Sequence, residues 1–193
     1  MQRRAFLLGL LWLGACSTTA PLPSGSRQYR GNVKLSGRLS VSYQAAGKPQ
    51  SLQGKFDWTQ RGENIDIELF TPLGQTMARI AITPARARLE QSNGEVSEAG
   101  SIDLLTEQHL GWALPVDGMR FWLQGFVRDA QRKLITVTPD QVDTLRSDGW
   151  RLRYVSWQAD QSTTVPKRID FARDAASNAL ALKVVVDRWQ EAE

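Results

Sequence analysis

Leu35-Ser36-Gly37-Arg38-Leu39-Ser40-Val41-Ser42-Tyr43 alternates apolar or small residues with polar ones without a break. Successive side chains of a strand point to opposite faces, so this pattern predicts a β-strand with one buried face. The same period of two returns twice. Leu52, Gly54, Phe56 and Trp58 alternate with Gln53, Lys55, Asp57 and Thr59, and Ile65, Ile67 and Leu69 alternate with Asp66 and Glu68. Further strands are predicted over residues 76–82, 86–91, 96–98, 134–138, 142–146, 150–157, 165–172 and 180–187, about eleven in all. Short turns such as Arg61-Gly62, Ser92-Asn93-Gly94 and Ser147-Asp148-Gly149 join many of them, which implies antiparallel pairing.

The middle of the chain changes period. Residues 101–111 place Ile102, Leu105, His109 and Leu110 at helical spacing, and a second helix is predicted over 116–124, after Pro115. A third short helix is predicted near residues 26–31. A sheet with one apolar face must cover it, and these helices are short for so many strands. Either the sheet curls toward a barrel, or some of its apolar surface lines a cavity. A mainly β fold, with a curved sheet and a partial helical lid, satisfies both.

The start of the chain is of another kind. Met1–Arg4 is basic, Ala5–Leu13 is apolar, Gly14 and Ala15 are small, and Cys16 is the single cysteine. That is the order of a secretory signal, and the apolar run is far short of the roughly 20 residues that span a bilayer. Leu13-Gly14-Ala15-Cys16 resembles the lipobox of bacterial lipoproteins, which implies cleavage after residue 15 and acylation of Cys16. Ser17, where an aspartate favours inner-membrane retention, implies an outer-membrane destination facing the periplasm. Ser17–Ser26 is rich in Ser, Thr, Pro and Gly and reads as a tether. The expected organisation is a signal peptide over 1–15, a lipidated N-terminus and tether over 16–31, and one folded domain over 32–193.

Composition and motifs exclude several functions. The formal net charge is +4, and two of the cations, Arg3 and Arg4, leave with the signal. The remaining charges are scattered, with no basic run and no aromatic RNP-like motif, so nucleic-acid binding has no support. No phosphate-binding loop and no G-x-S-x-G elbow occur. His109 is the only histidine, which rules out a histidine-rich metal site and suits a partly buried structural role. Asp66 and Glu68 read as a solvated strand face rather than an acid–base pair. The expectation is a binding protein rather than an enzyme, with no metal and no cofactor.

One turn stands out. Thr71-Pro72-Leu73-Gly74-Gln75-Thr76 joins two predicted strands, and Pro72 and Gly74 are turn residues. Leu73 is the odd member, because a turn tip faces water. Local sequence alone favours a Leu73 that folds back onto a neighbour.

Taken together, Gly54-Lys55-Phe56-Asp57-Trp58-Thr59-Gln60-Arg61-Gly62, the Thr71–Thr76 turn and Gly37-Arg38 resemble the LolB family. So do Gly111-Trp112-Ala113-Leu114-Pro115-Val116, Arg120-Phe121-Trp122-Leu123-Gln124-Gly125, and the closing segments Val165–Ile169 and Val186–Trp189. The resemblance implies an unclosed antiparallel β-barrel with a helical lid over an apolar cavity. It implies an outer-membrane lipoprotein, lipid-anchored on the periplasmic face, that accepts acylated lipoproteins from the periplasmic carrier LolA and inserts them into outer-membrane phospholipid. It also implies a monomer, and a membrane-insertion turn made of Pro72, Leu73 and Gly74. Without a nucleotide motif, transfer is expected to run without ATP. Leu39, Val41, Phe56, Trp58, Ile67, Leu69 and Trp122 are the candidate acyl-cavity lining, each equally compatible with plain core. The alternative is a structural or assembly lipoprotein of the outer membrane, with a packed core and a protein partner.

Overall fold

The alternating segments form one continuous antiparallel sheet. In the computed structural model, which describes residues 21–45, 47–141, 143–173 and 179–193, the strands are β1 (Asn32–Ala45), β2 (Lys48–Arg61), β3 (Asn64–Phe70), β4 (Thr76–Ile82), β5 (Ala87–Gln91) and β6 (Val96–Ala99). Helices α1 (Ile102–Leu110) and α2 (Val116–Trp122) follow. The chain then runs through β7 (Phe126–Arg128), β8 (Leu134–Thr136), β9 (Leu145–Ser147), β10 (Trp150–Asp160), β11 (Thr163–Arg173) and β12 (Leu180–Gln190). The expected signal segment, Cys16 and the first part of the expected tether lie outside the described residues.

Ten strands make the main sheet in the order β6-β5-β4-β3-β2-β1-β12-β11-β10-β9, and β7-β8 is a separate ribbon. The last strand pairs with the first, so the two halves of the chain meet at the middle of the sheet. The edge strands β6 and β9 do not pair with each other, so the barrel stays open. The predicted alternation sets the pleat: Val33, Leu35, Leu39 and Val41 point inward from β1, and Phe56 and Trp58 from β2. Each such apolar side chain contributes about 1.5–3 kcal/mol on burial.

The helices cover the inner face. α1 turns Ile102, Leu105 and Thr106 inward and leaves Leu104 exposed. α2 lays Trp122 against Trp150 and Phe171, with ring centroids 6.0 and 5.4 Å away. Gly118 permits this, since a Cβ there would fall 2.2 Å from the Trp122 indole. The Tyr154 hydroxyl, deeply buried, donates to the Trp122 carbonyl at 3.0 Å and ties α2 to β10.

The fold bears out the open, mainly β architecture: the twelve strands among the described residues agree with the expected number of about eleven, the additional one being β7 in the apolar run that follows α2. It corrects three expectations. β9 spans Leu145–Ser147; of the expected 142–146, residue 142 lies outside the described residues and 143–144 precede the strand. α2 stops at Trp122 rather than Gln124 because its last bonds tighten, from the Gln124 N–H to the Phe121 carbonyl and from the Gly125 N–H to the Trp122 carbonyl at 3.0 Å each, and Gly125 then turns left-handed at φ +78°. The Gln124 side chain bonds the Arg30 backbone, donating to its carbonyl at 3.1 Å and accepting from its N–H at 2.9 Å. No helix forms at residues 26–31, where tertiary partners replace local ones. There the Arg27 guanidinium donates to the carbonyls of Thr164, Val137 and Gly125. Gln60, fully buried, donates to the Tyr29 hydroxyl at 2.6 Å.

The same contacts shorten the expected tether. Gly25 bridges to Thr163, and the Thr164 hydroxyl donates to the Pro23 carbonyl at 2.6 Å. From Pro23 onward the segment is part of the folded body.

Candidate functional site

β3 and β4 are joined by the turn that carries Leu73, and backbone bonds close it. The Gly74 N–H donates to the Thr71 carbonyl at 2.9 Å, and the Thr71 N–H donates to the Gln75 carbonyl at 2.8 Å. The Gln75 N–H also reaches the Thr71 hydroxyl at 3.2 Å. Gly74 sits at φ +90°, in the region where a side chain is strained. Leu73 does not fold back. Its exposure is 91%, the highest of any large apolar residue described, and Pro72 beside it is exposed too. A closed turn that holds a leucine in water forgoes the gain of burying it, about 1.5–3 kcal/mol.

The base of this turn opens onto a cavity of about 520 Å³ between the sheet and the C-terminal end of α1. Its apolar wall is Leu39, Leu52, Leu69, Met77, Leu110 and Trp112, and Thr71, Gln75 and Thr76 from the turn complete the rim. The rest of the lining is largely polar: Lys55, Gln91, Ser92 and His109 join the three turn residues. The His109 Nδ1 lies 3.2 Å from the Gln91 side-chain amide nitrogen, so the one histidine is held by an amide rather than by a carboxylate. Among the described residues no group of histidine, cysteine and carboxylates is arranged to hold a metal ion.

Of the seven residues named from the sequence as candidate lining, Leu39 and Leu69 face this cavity. Val41, Phe56, Trp58, Ile67 and Trp122 are packed in the continuous core. Trp58 and Ile67 pair with each other one step closer to the Arg61–Asn64 end than the Phe56–Leu69 pair. Trp122 lies across the sheet, against β10 and β11. Sequence reasoning missed Leu52, Met77, Leu110 and Trp112 as wall residues, although Leu52 continues the alternation of β2 and Leu110 the spacing of α1. Asp66 and Glu68 pair with Arg61 at 3.6 Å and with Arg79 at 3.5 Å on the exposed face, as a solvated strand face does.

A family model described as outer membrane lipoprotein LolB matches residues 32–189. The outer-membrane lipoprotein LolB of Cupriavidus necator is 42% identical over 94% of this chain and 93% of its own length. That of Cupriavidus metallidurans is 40% identical over 96% of both. Among solved structures, a LolA superfamily protein from Nitrosomonas europaea aligns with a TM-score of 0.52 over 86% of this chain and 89% of its own, at 9% identity. At that identity the likeness speaks for the fold alone.

Proposed function

The chain belongs to the LolB family of outer-membrane lipoproteins, and from that premise we propose that it accepts acylated lipoproteins from the periplasmic carrier LolA and inserts them into the outer membrane. The observation that carries this reading is the joining of two features in one hairpin: an apolar cavity, and at its mouth a closed turn that holds Leu73 in water. Cys16 is the acylated residue that keeps the body at the periplasmic face of the outer membrane, and Pro72, Leu73 and Gly74 form the insertion turn.

The energetics set what each part must do. Acyl chains resist exposure to water by about 0.8 kcal/mol per methylene, so cargo in transit needs a shield. The cavity supplies an apolar wall, and its volume of about 520 Å³ suits one small ligand. Taking up all the chains of a lipoprotein therefore requires α1 to swing away from the sheet. That helix is fastened by few buried side chains, Ile102, Leu105 and Thr106. Transfer runs downhill without ATP, from carrier to this cavity to bilayer, because each successive host offers the chains more apolar contact. The protein acts as a monomeric chaperone of lipoprotein transport and makes or breaks no covalent bond.

Native mass spectrometry tests the reading. A chain beginning at Ser17, which keeps every described residue, is mixed with a triacylated peptide and with its unacylated counterpart. A one-to-one complex with the acylated peptide only is the expected result. Equal binding of both peptides, or of neither, favours instead a structural lipoprotein with a packed core and a protein partner.

A further inference from the structure

Against the outer face of the sheet, below the same turn, lies a second concavity of about 420 Å³ with a different character. Its cations are Arg38, Lys55, Arg168 and Lys183, and Pro72 forms its upper edge. The strand register makes this a cluster rather than a scatter. Lys55 pairs with Phe70 on one side and Arg38 on the other, Arg38 pairs with Val185, and Val185 pairs with Arg168. Lys183 stands across from Ser40 in the next row.

Carboxylates answer only half of this charge. Asp187 holds Arg38 through two bonds of 2.9 Å, and Asp170 holds Arg168 at 3.0 Å. Among the described residues neither Lys55 nor Lys183 forms an ion pair with a carboxylate, and both are exposed; Asp170 stands across from Lys183 in the register, but its ion pairs are with Arg168 and Arg153. The groove also adjoins the cavity, because Leu39, Gly54 and Lys55 line both, so Lys55 stands where the two meet.

From this placement we infer that the groove binds the anionic headgroups of phospholipids in the receiving bilayer, with Lys55 and Lys183 as the unpaired cations that engage phosphate. The inference rests on the reading of Cys16 and Leu73 as membrane-directed. It specifies which face of the body meets the membrane. The chain enters the body at the end of the strands opposite the turn. Gly25 meets Thr163, and from Thr163 to Arg168, level with Phe70, is about 17 Å along β11. The segment from Cys16 to Pro23 extends at most about 25 Å. That reach allows an anchor at one end of the strands and an insertion turn at the other to meet one bilayer with the body lying along it. The half-neutralised basic groove on the outer face, beneath Pro72, then turns toward the headgroups. Its charge complements an anionic leaflet, whose attraction for a lysine near the surface amounts to about fivefold in partitioning.

The test is vesicle co-sedimentation of the unlipidated chain beginning at Ser17. The vesicles are phosphatidylethanolamine with or without phosphatidylglycerol, at low and high salt. Lys55→Gln/Lys183→Gln is compared with the parent chain and with Lys133→Gln, a change on the remote β7-β8 ribbon. The expected result is binding that requires phosphatidylglycerol, falls with salt, and weakens roughly 20-fold in the double variant only. Equal binding by the double variant, or equal binding to both vesicle types, overturns the inference. So does a double variant that binds vesicles normally but receives cargo slowly from its carrier, which would assign the groove to a protein surface. Failure of the transfer reading is separable: it would leave lysine-dependent vesicle binding intact in a chain that takes up no acylated peptide.

Discussion

Replacing Leu73 by glutamate is expected to slow insertion of cargo into liposomes by tenfold or more while leaving the fold and the uptake of cargo unchanged. The fold is indifferent because Leu73 touches little: its exposure is 91%, and the turn is closed by backbone bonds from Thr71, Gly74 and Gln75. Uptake is indifferent because Leu73 is at the tip, whereas the cavity wall begins at Thr71 and Gln75. The step that changes is contact with the bilayer. A leucine entering apolar surroundings gains about 1.5–3 kcal/mol, and a carboxylate there loses hydration instead. Since about 1.4 kcal/mol is a factor of ten, losing the leucine alone accounts for tenfold or more. Stopped-time transfer of a labelled lipoprotein to liposomes reads this out, with uptake measured separately. Normal insertion by the variant would remove Leu73 from the mechanism.

Arg27→Ala is expected to cost about 2–4 kcal/mol of stability, measured by urea denaturation of the unlipidated chain. Arg27 is the point where three separate segments are gathered. Its guanidinium donates to Thr164 in β11, Gly125 before β7 and Val137 after β8, and it stacks at 4.9 Å on Trp157 and 5.5 Å on Phe126. Alanine leaves these carbonyls without their donor and removes the stacked stem. Arg27→Lys is expected to recover only part of the loss, because an ammonium cannot reproduce the planar fork. Burial pulls the Arg27 guanidinium below its ordinary pKa, yet arginine starts so high that it keeps its charge. The effect should therefore not change between pH 5 and 8. A loss below about 0.5 kcal/mol, the range of ordinary surface changes, would show that the N-terminal segment is held elsewhere.

The contrast between these two residues explains what sequence reading recovers. Strands β1 to β4 and β10 to β12 are legible because a half-buried strand writes its geometry into every second residue. Arg27 is not legible as a clasp: it sits in a polar, Pro- and Gly-rich stretch whose local pattern matches a tether or a short helix, and its partners are far away in sequence. The same limit separates Leu39 from Trp58. Periodicity gives the face a side chain points to, and both point inward. It does not give the height along the strand at which the helices leave a gap, so one lines the cavity and the other is plain core. Leu73 is legible as an anomaly, and the local expectation that it folds back was wrong. The backbone bonds of Thr71 and Gln75 fix the tip clear of any neighbour.

The central claim is that acyl chains of the cargo occupy the cavity between the sheet and α1. It is tested most directly by photo-crosslinking a triacylated peptide that carries a diazirine in one acyl chain to the unlipidated protein, followed by peptide mapping of the adducts. The prediction is adducts on Leu52, Leu69, Met77 and Leu110, at the wall of the cavity. Adducts confined to the outer face of the sheet, or a yield no higher than with an unfolded chain, would contradict it.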